Sequence, residues 1–159
     1  MLRLAQAGDA GFVHALWTAP HNALWLDPPE GDQIDEAIAE GNLLIWETGA
    51  DAGGPAGFAT LTNWMQGVWS LREFATTRAG VGRPFLTAVL DEMFGPRAAH
   101  RVGLDITADN TRALRFFGAA GFQREGVWRE CWLRPSGDWV DCVFMAMLDR
   151  EWLNREGSR

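Results

Sequence analysis

Hydrophobic and polar positions change period several times along this chain, and each change marks an element. Residues 2–6 ("LRLAQ") read as a short first strand. Residues 8–19 follow with Phe12 and Leu16 at helical spacing, and Asp9 stands where an N-cap is expected. After a loop at 19–29, residues 32–40 ("DQIDEAIAE") form an acidic helix ended by Gly41. Residues 42–48 ("NLLIWET") are a buried strand, 49–55 a turn and 56–64 a returning strand, which together make a hairpin. Residues 67–77 are a further strand with mixed alternation. From Val81 to Phe94, Leu86, Val89, Leu90 and Met93 share one face of a helix.

Residues 100–107 are again a strand, and 109–122 a second helix with Ala113, Phe116, Phe117 and Ala120 on one face. Asp109 or Asn110 caps its start, and Gly121 with Phe122 ends it in a Schellman-like turn. A long hairpin follows, residues 122–134 and 137–149, turning near Ser136, and "REWLNREGSR" reads as a polar tail. The order β-α-α-β-β-β-α-β-α-β-β predicts an α/β (α+β layered) fold with a mixed sheet and helices on its faces.

The chain has 159 residues, which predicts one domain over 1–159 with a full core. No apolar run is long enough to span a bilayer, and the N-terminus lacks the layout of a signal peptide. A membrane partner is therefore not expected. Cys131 and Cys142 fit neither a disulfide framework nor a zinc site, and cytoplasm is the simplest compartment. His14, His21 and His100 match no metal spacing. A net charge of -7 argues against a nucleic-acid surface and suits a cationic partner such as an amine. Trp64, Trp69, Trp128 and Trp132, four of nine tryptophans, wall a pocket or fill the core; the sequence leaves both open. The exposed late hairpin, with Trp139 and Val140, suggests a homodimer by edge-strand physics.

The candidate chemistry lies in "TRAGVG", residues 77–82, where a strand turns into a helix. The first N–H groups of a helix lack intrahelical partners and its dipole favours negative charge, so such a turn can receive a diphosphate. Glycine lets the phosphate approach the backbone, and Arg78 and Arg83 flank the turn. A P-loop is excluded because Gly82 is followed by Arg83-Pro84 instead of Lys-Ser/Thr. A dinucleotide fingerprint is excluded because its third glycine would be Phe85.

"TRAGVG" does resemble the Q/R-x-x-G-x-G/A acetyl-CoA turn of the GNAT acetyltransferase superfamily. "NTRALRFFGAAGF", beginning 28 residues after Gly82, resembles that superfamily's second signature, N-x-x-A-x-x-x-Y-x-x-x-G-F. "LDITADN" and "GFQREGVWRE" are similar to the segments on either side, and the likeness spans about residues 42–148, nearest the ribosomal-protein N-terminal acetyltransferase (RimJ/RimL-like) branch. The resemblance implies a mostly antiparallel sheet splayed between its central strands, with acetyl-CoA as cosubstrate and no metal. The pyrophosphate would rest on Arg78, Ala79, Gly80, Val81, Gly82 and Arg83. The thioester would lie by Phe74, Ala75 and Thr76, with Asn110 and Phe117 beside the cofactor arm; a capping role for Asn110 is equally open.

Such an enzyme moves an acetyl group to a primary amine of a peptide N-terminus, a polyamine or another small molecule, by direct attack. An ammonium must first lose a proton, and Asp105 and Glu73 are the rival carboxylate bases. Phe117 departs from the pattern: the family's tyrosine general acid stands there, and this chain contains no tyrosine. The loss is expected to slow transfer by up to about 10²–10⁴-fold, and it keeps a second reading in view, a non-catalytic acyl-CoA sensor.

Overall fold

The computed structural model describes residues 1–49 and 53–156, without the Glu156 side chain. Seven strands form one sheet in the order β1-β2-β3-β4-β5-β7-β6. They are β1 Leu2–Leu4, β2 Leu43–Thr48, β3 Gly54–Met65, β4 Val68–Thr76, β5 Arg101–Thr107, β6 Gln123–Leu133 and β7 Trp139–Leu148. The helices are α1 Ala10–Trp17, α2 Gln33–Ala39, α3 Gly82–Phe94, α4 Thr111–Ala119 and α5 Asp149–Glu156. The β4–β5 pair is parallel, a consequence of the α3 crossover, with the register Val68↔Arg101, Trp69↔Val102 and Ser70↔Gly103. The pairs β1–β2, β2–β3, β5–β7 and β6–β7 are antiparallel. This is the mixed, mostly antiparallel α/β arrangement that the order of elements predicts.

Two compact units are distinguishable: Met1–Thr62 with Leu71–Pro96, and Asn63–Ser70 with residues 97 onward. The first buries Val13, Leu16 and Trp17 of α1 and Ile34 of α2 with Leu43, Ile45 and Phe58 of the strands. Trp17 stacks on Phe58 at 5.2 Å between centroids. Gly41, at φ 68, ends α2 as its sequence suggests: Asn42 N–H donates to Ala37 O and Gly41 N–H to Ile38 O. The second unit buries Val102, Leu104 and Ile106 of β5 with Val143, Met145 and Met147 of β7.

Two expectations change at the level of elements, and a third falls partly outside the described residues. Asp9 precedes α1 but does not cap it with its side chain. Its carboxylate instead accepts from Gln6 N–H at 2.8 Å and from both Arg3 terminal nitrogens at 2.7 and 2.8 Å, closing a short 3-10 turn at Ala7–Asp9. The polar tail is helical as far as Glu156, because Trp152 is a buried anchor within it and Glu151 accepts from Leu148 N–H at its start. The turn expected at 49–55 lies partly outside the described residues, and the Thr48↔Gly54 pair flanks it.

Candidate active site

The end of β4 is tied down before the glycine turn begins. Thr77 donates to Ala56 O twice, from its backbone N–H at 2.9 Å and its hydroxyl at 3.3 Å. Gly80 then takes φ 88, a conformation that L side chains rarely adopt and the reason a glycine stands there. α3 starts two residues later with no side chain capping Val81. Phe85 N–H donates to Val81 O at 3.2 Å, so the Gly82 and Arg83 amides precede the first intrahelical bond, and Pro84 has none to offer.

Phe85 fixes the direction of this helix start. It is fully buried, stacks on Phe74 at 4.7 Å and lies 5.7 Å from Trp46. Gly57 admits that packing: a Cβ there would sit 2.7 Å from Ala75 O and 3.1 Å from the Phe85 ring. The residue that rules out a dinucleotide fingerprint is therefore the one that pins the first turn of α3 to the strands. Arg78, Ala79, Gly80 and Arg83 are exposed around it. A backbone turn with a left-handed glycine, an uncapped helix start and two exposed guanidiniums fits a diphosphate by charge and by donor type.

On β4 itself Leu71, Glu73 and Ala75 are buried and Arg72 is exposed, as alternation predicts. Glu73 is 7% exposed, and its backbone N–H donates to the hydroxyl of buried Thr60 at 3.0 Å. Nothing in the spacing of the sequence marks Thr60, because the contact comes from strand pairing. Phe74 and Thr76 are half-buried. Residues 73–83 thus form one contiguous region in the first unit.

The remaining candidates belong to the second unit. Asp105 is exposed on β5, directly opposite Phe144 of β7. Of the two possible caps for α4, Asn110 is the one used: its Oδ1 accepts from Ala113 N–H at 3.1 Å. Asp109 instead accepts a two-pronged contact from Arg134 at 2.8 and 2.9 Å, which holds its carboxyl below the usual carboxylate range. Arg134 also lies over the Trp132 ring at 5.6 Å. It escapes a reading by motif because it comes from the far hairpin.

The Schellman turn is present in full. Phe122 N–H donates to Phe117 O at 3.1 Å, Gly121 N–H to Gly118 O at 2.9 Å, and Gly121 has φ 96. Phe117 is 8% exposed and meets Phe122 edge-on at 5.6 Å and Phe116 at 5.0 Å. The apolar contact that accompanies such a turn is therefore made by the residue in the tyrosine position. Among the described residues no group of three His, Cys, Asp or Glu is placed to hold a metal ion.

Several solved structures share this fold. A spermidine N-acetyltransferase from Vibrio cholerae, in complex with CoA and spermine, superposes with a TM-score of 0.81 at 21% identity, over 97% of this chain and 98% of that one. An acetyltransferase of the GNAT family from Bacillus anthracis superposes with a TM-score of 0.76 at 14% identity, over 94% of each. The sequence model of the acetyltransferase (GNAT) family matches residues 11–122, from α1 to the end of the second signature. With that match, and with the turn of residues 77–83 leading into α3, the chain belongs to the GNAT family of acetyltransferases, enzymes that take their acetyl group from acetyl-CoA.

Proposed function

We propose that this GNAT enzyme acetylates a primary amine of an aliphatic polyamine by direct attack on acetyl-CoA. The observation that carries the cofactor half is the 77–83 turn, with Gly80 at φ 88 opening onto the uncapped start of α3. Support for the acceptor comes from the charge of -7 and from the V. cholerae structure of the same fold, a spermidine acetyltransferase holding spermine. The narrower placement in the ribosomal-protein branch gains no support from these neighbours, so peptide N-termini rank below polyamines. A non-catalytic sensor gains none either.

In this reading the whole chain is one acetyltransferase domain. The diphosphate lies on the amides of residues 78–83 with Arg78 and Arg83 alongside. The backbone of Phe74, Ala75 and Thr76 faces the thioester, where an N–H donor stabilises the oxygen that gains charge as the amine attacks. Asn110 and Phe117 border the cofactor arm, as packing and capping residues in the first instance. Glu73 receives the proton of the ammonium, directly or through water, and Asp105 is the alternative acceptor. With phenylalanine at position 117, the departing thiolate takes its proton from water or from the attacking amine.

Cytoplasm is the proposed compartment, from the sparse cysteine usage of the sequence. Among the described residues no helix is long and apolar enough to cross a membrane. A homodimer would use side chains of the late hairpin instead of strand addition, because β6 is broken by irregularities at Arg124/Gly126 and Trp128/Trp132, with Glu130 at φ 47. The test is release of CoA thiol from acetyl-CoA with spermidine, spermine, simple alkylamines and N-terminal peptides. We expect the polyamines to give the highest kcat/KM. Transfer to peptides alone, or to none of the panel, would overturn the proposal.

A further inference from the structure

A threonine hydroxyl ties β4 to β3 on either side of Phe74, Ala75 and Thr76, the strip proposed above to face the thioester. On one side Thr60 of β3 accepts the Glu73 N–H on its hydroxyl at 3.0 Å. On the other, Thr77 donates its backbone N–H and its hydroxyl to Ala56 O, at 2.9 and 3.3 Å. Between the two ties the strands come very close. A Cβ on Gly57 would sit 2.7 Å from Ala75 O, an approach that glycine permits. All of these residues belong to the first unit.

Thr60 is a polar residue in a core position. It is 6% exposed and pairs with Leu43, a member of the core that α1 and α2 help to form. Phe58, two residues earlier and so on the same side of β3, belongs to that core too. Valine would fill the same volume without a buried hydroxyl, which is unfavourable unless it is hydrogen-bonded. Here the hydroxyl serves the amide that leads into the strip. Ala56 is placed by an irregularity in the sheet. Trp46 pairs with Gly57 and Glu47 with Pro55, so Ala56 is the extra residue of a bulge, and its carbonyl receives both Thr77 bonds.

We propose that Thr60 and Thr77 are positioning residues that clamp the backbone of Phe74, Ala75 and Thr76 against β3. They thereby fix the N–H donor that polarises the thioester carbonyl. The clamp acts through the Glu73 amide and not through its carboxylate. A donor of this kind works only when it is held where charge develops, and a misplacement of about 1 Å can cost about 10²-fold in rate. This deepens the reading that the strip faces the thioester and rests on it. It holds whichever amine is acetylated.

Infrared difference spectra of bound acetyl-CoA, labelled with carbon-13 at the thioester carbonyl, test the clamp without any amine. A hydrogen bond to that oxygen polarises the carbonyl and lowers its stretching frequency. We expect the unmodified protein to lower the frequency relative to free acetyl-CoA. Thr60→Val should return it most of the way to the free value, and Thr60→Ser, which keeps the hydroxyl, should leave it lowered. Thr77→Val sits at an exposed position and retains the backbone bond to Ala56, so it should fold and lose a smaller part of the shift. With spermidine as acceptor, kcat of Thr60→Val should fall by about 10- to 100-fold while KM for acetyl-CoA stays within about 3-fold. A merely structural threonine would change stability and leave the frequency where it was. An unchanged frequency in Thr60→Val, or in Thr77→Val should the first not fold, would overturn the clamp and leave the strip as the donor. No lowering in the unmodified protein would overturn the strip and the clamp together.

Discussion

The region from Glu73 to Arg83 and the face around Asp105 are built on opposite principles. The first presents its backbone: strand amides, a glycine at positive φ and the start of a helix, with Phe85 buried beneath. The second presents side chains: a carboxylate, an exposed indole and a phenylalanine ring placed by strand register. A backbone site tolerates varied side chains and depends on conformation. A side-chain site depends on which residues the register brings to one face. The two should therefore respond differently to substitution.

Phe85→Ala should produce the largest effect, a loss of about 3–5 kcal/mol in unfolding free energy measured by urea titration. A loss below about 1 kcal/mol would mean that the helix start is held by something else. Gly80→Val comes next. It forces a branched side chain into a left-handed conformation at a cost of about 1–3 kcal/mol. Nothing lies within 4 Å of a Cβ there, so packing should survive, and acetyl-CoA affinity should fall while the core stays intact. Normal acetyl-CoA binding by Gly80→Val would break the claim that backbone conformation carries this region.

Asn110→Ala should cost about 1 kcal/mol through loss of the α4 cap, and Asn110→Asp should restore it. If acetyl-CoA affinity follows the cap in both variants, Asn110 acts by holding the helix. If Asn110→Asp restores stability but not affinity, the side chain touches the cofactor. The smallest expected effect concerns acid. Arg3 holds the Asp9 carboxyl below its ordinary value of 3.8, so this contribution to stability is present above that pH and fades as pH falls through the lowered value. Asp9→Asn should therefore be less stable than the unmodified protein at pH 7, and the difference should shrink as pH falls below 3.8. An acid limb as steep as that of the unmodified protein would remove Asp9 from the account.

The two signatures were legible because each encodes local geometry. Gly80 before a helix start and Gly121 after a helix end can be read from a few neighbouring residues, since helix ends are determined by nearby hydrogen bonds. Asp9 misled because a nearby arginine, brought in by β1, offered its carboxylate a stronger partner than an orphan helix N–H. The helical tail was missed because its pattern is almost wholly polar, and Trp152 becomes an anchor only once there is a core to enter.

The sequence by itself determined the order of elements, the turn that precedes α3, the absence of a tyrosine acid and the negative charge. These depend on residue identity and on spacings within one turn of chain. Only the tertiary structure decided that Asn110 and not Asp109 caps α4, that Thr60 meets the Glu73 amide, and that Trp128 stands exposed against Phe144. Each of those facts follows from pairing between strands or from a partner supplied by a distant hairpin. A one-residue change of register would turn the face over and undo the pairing.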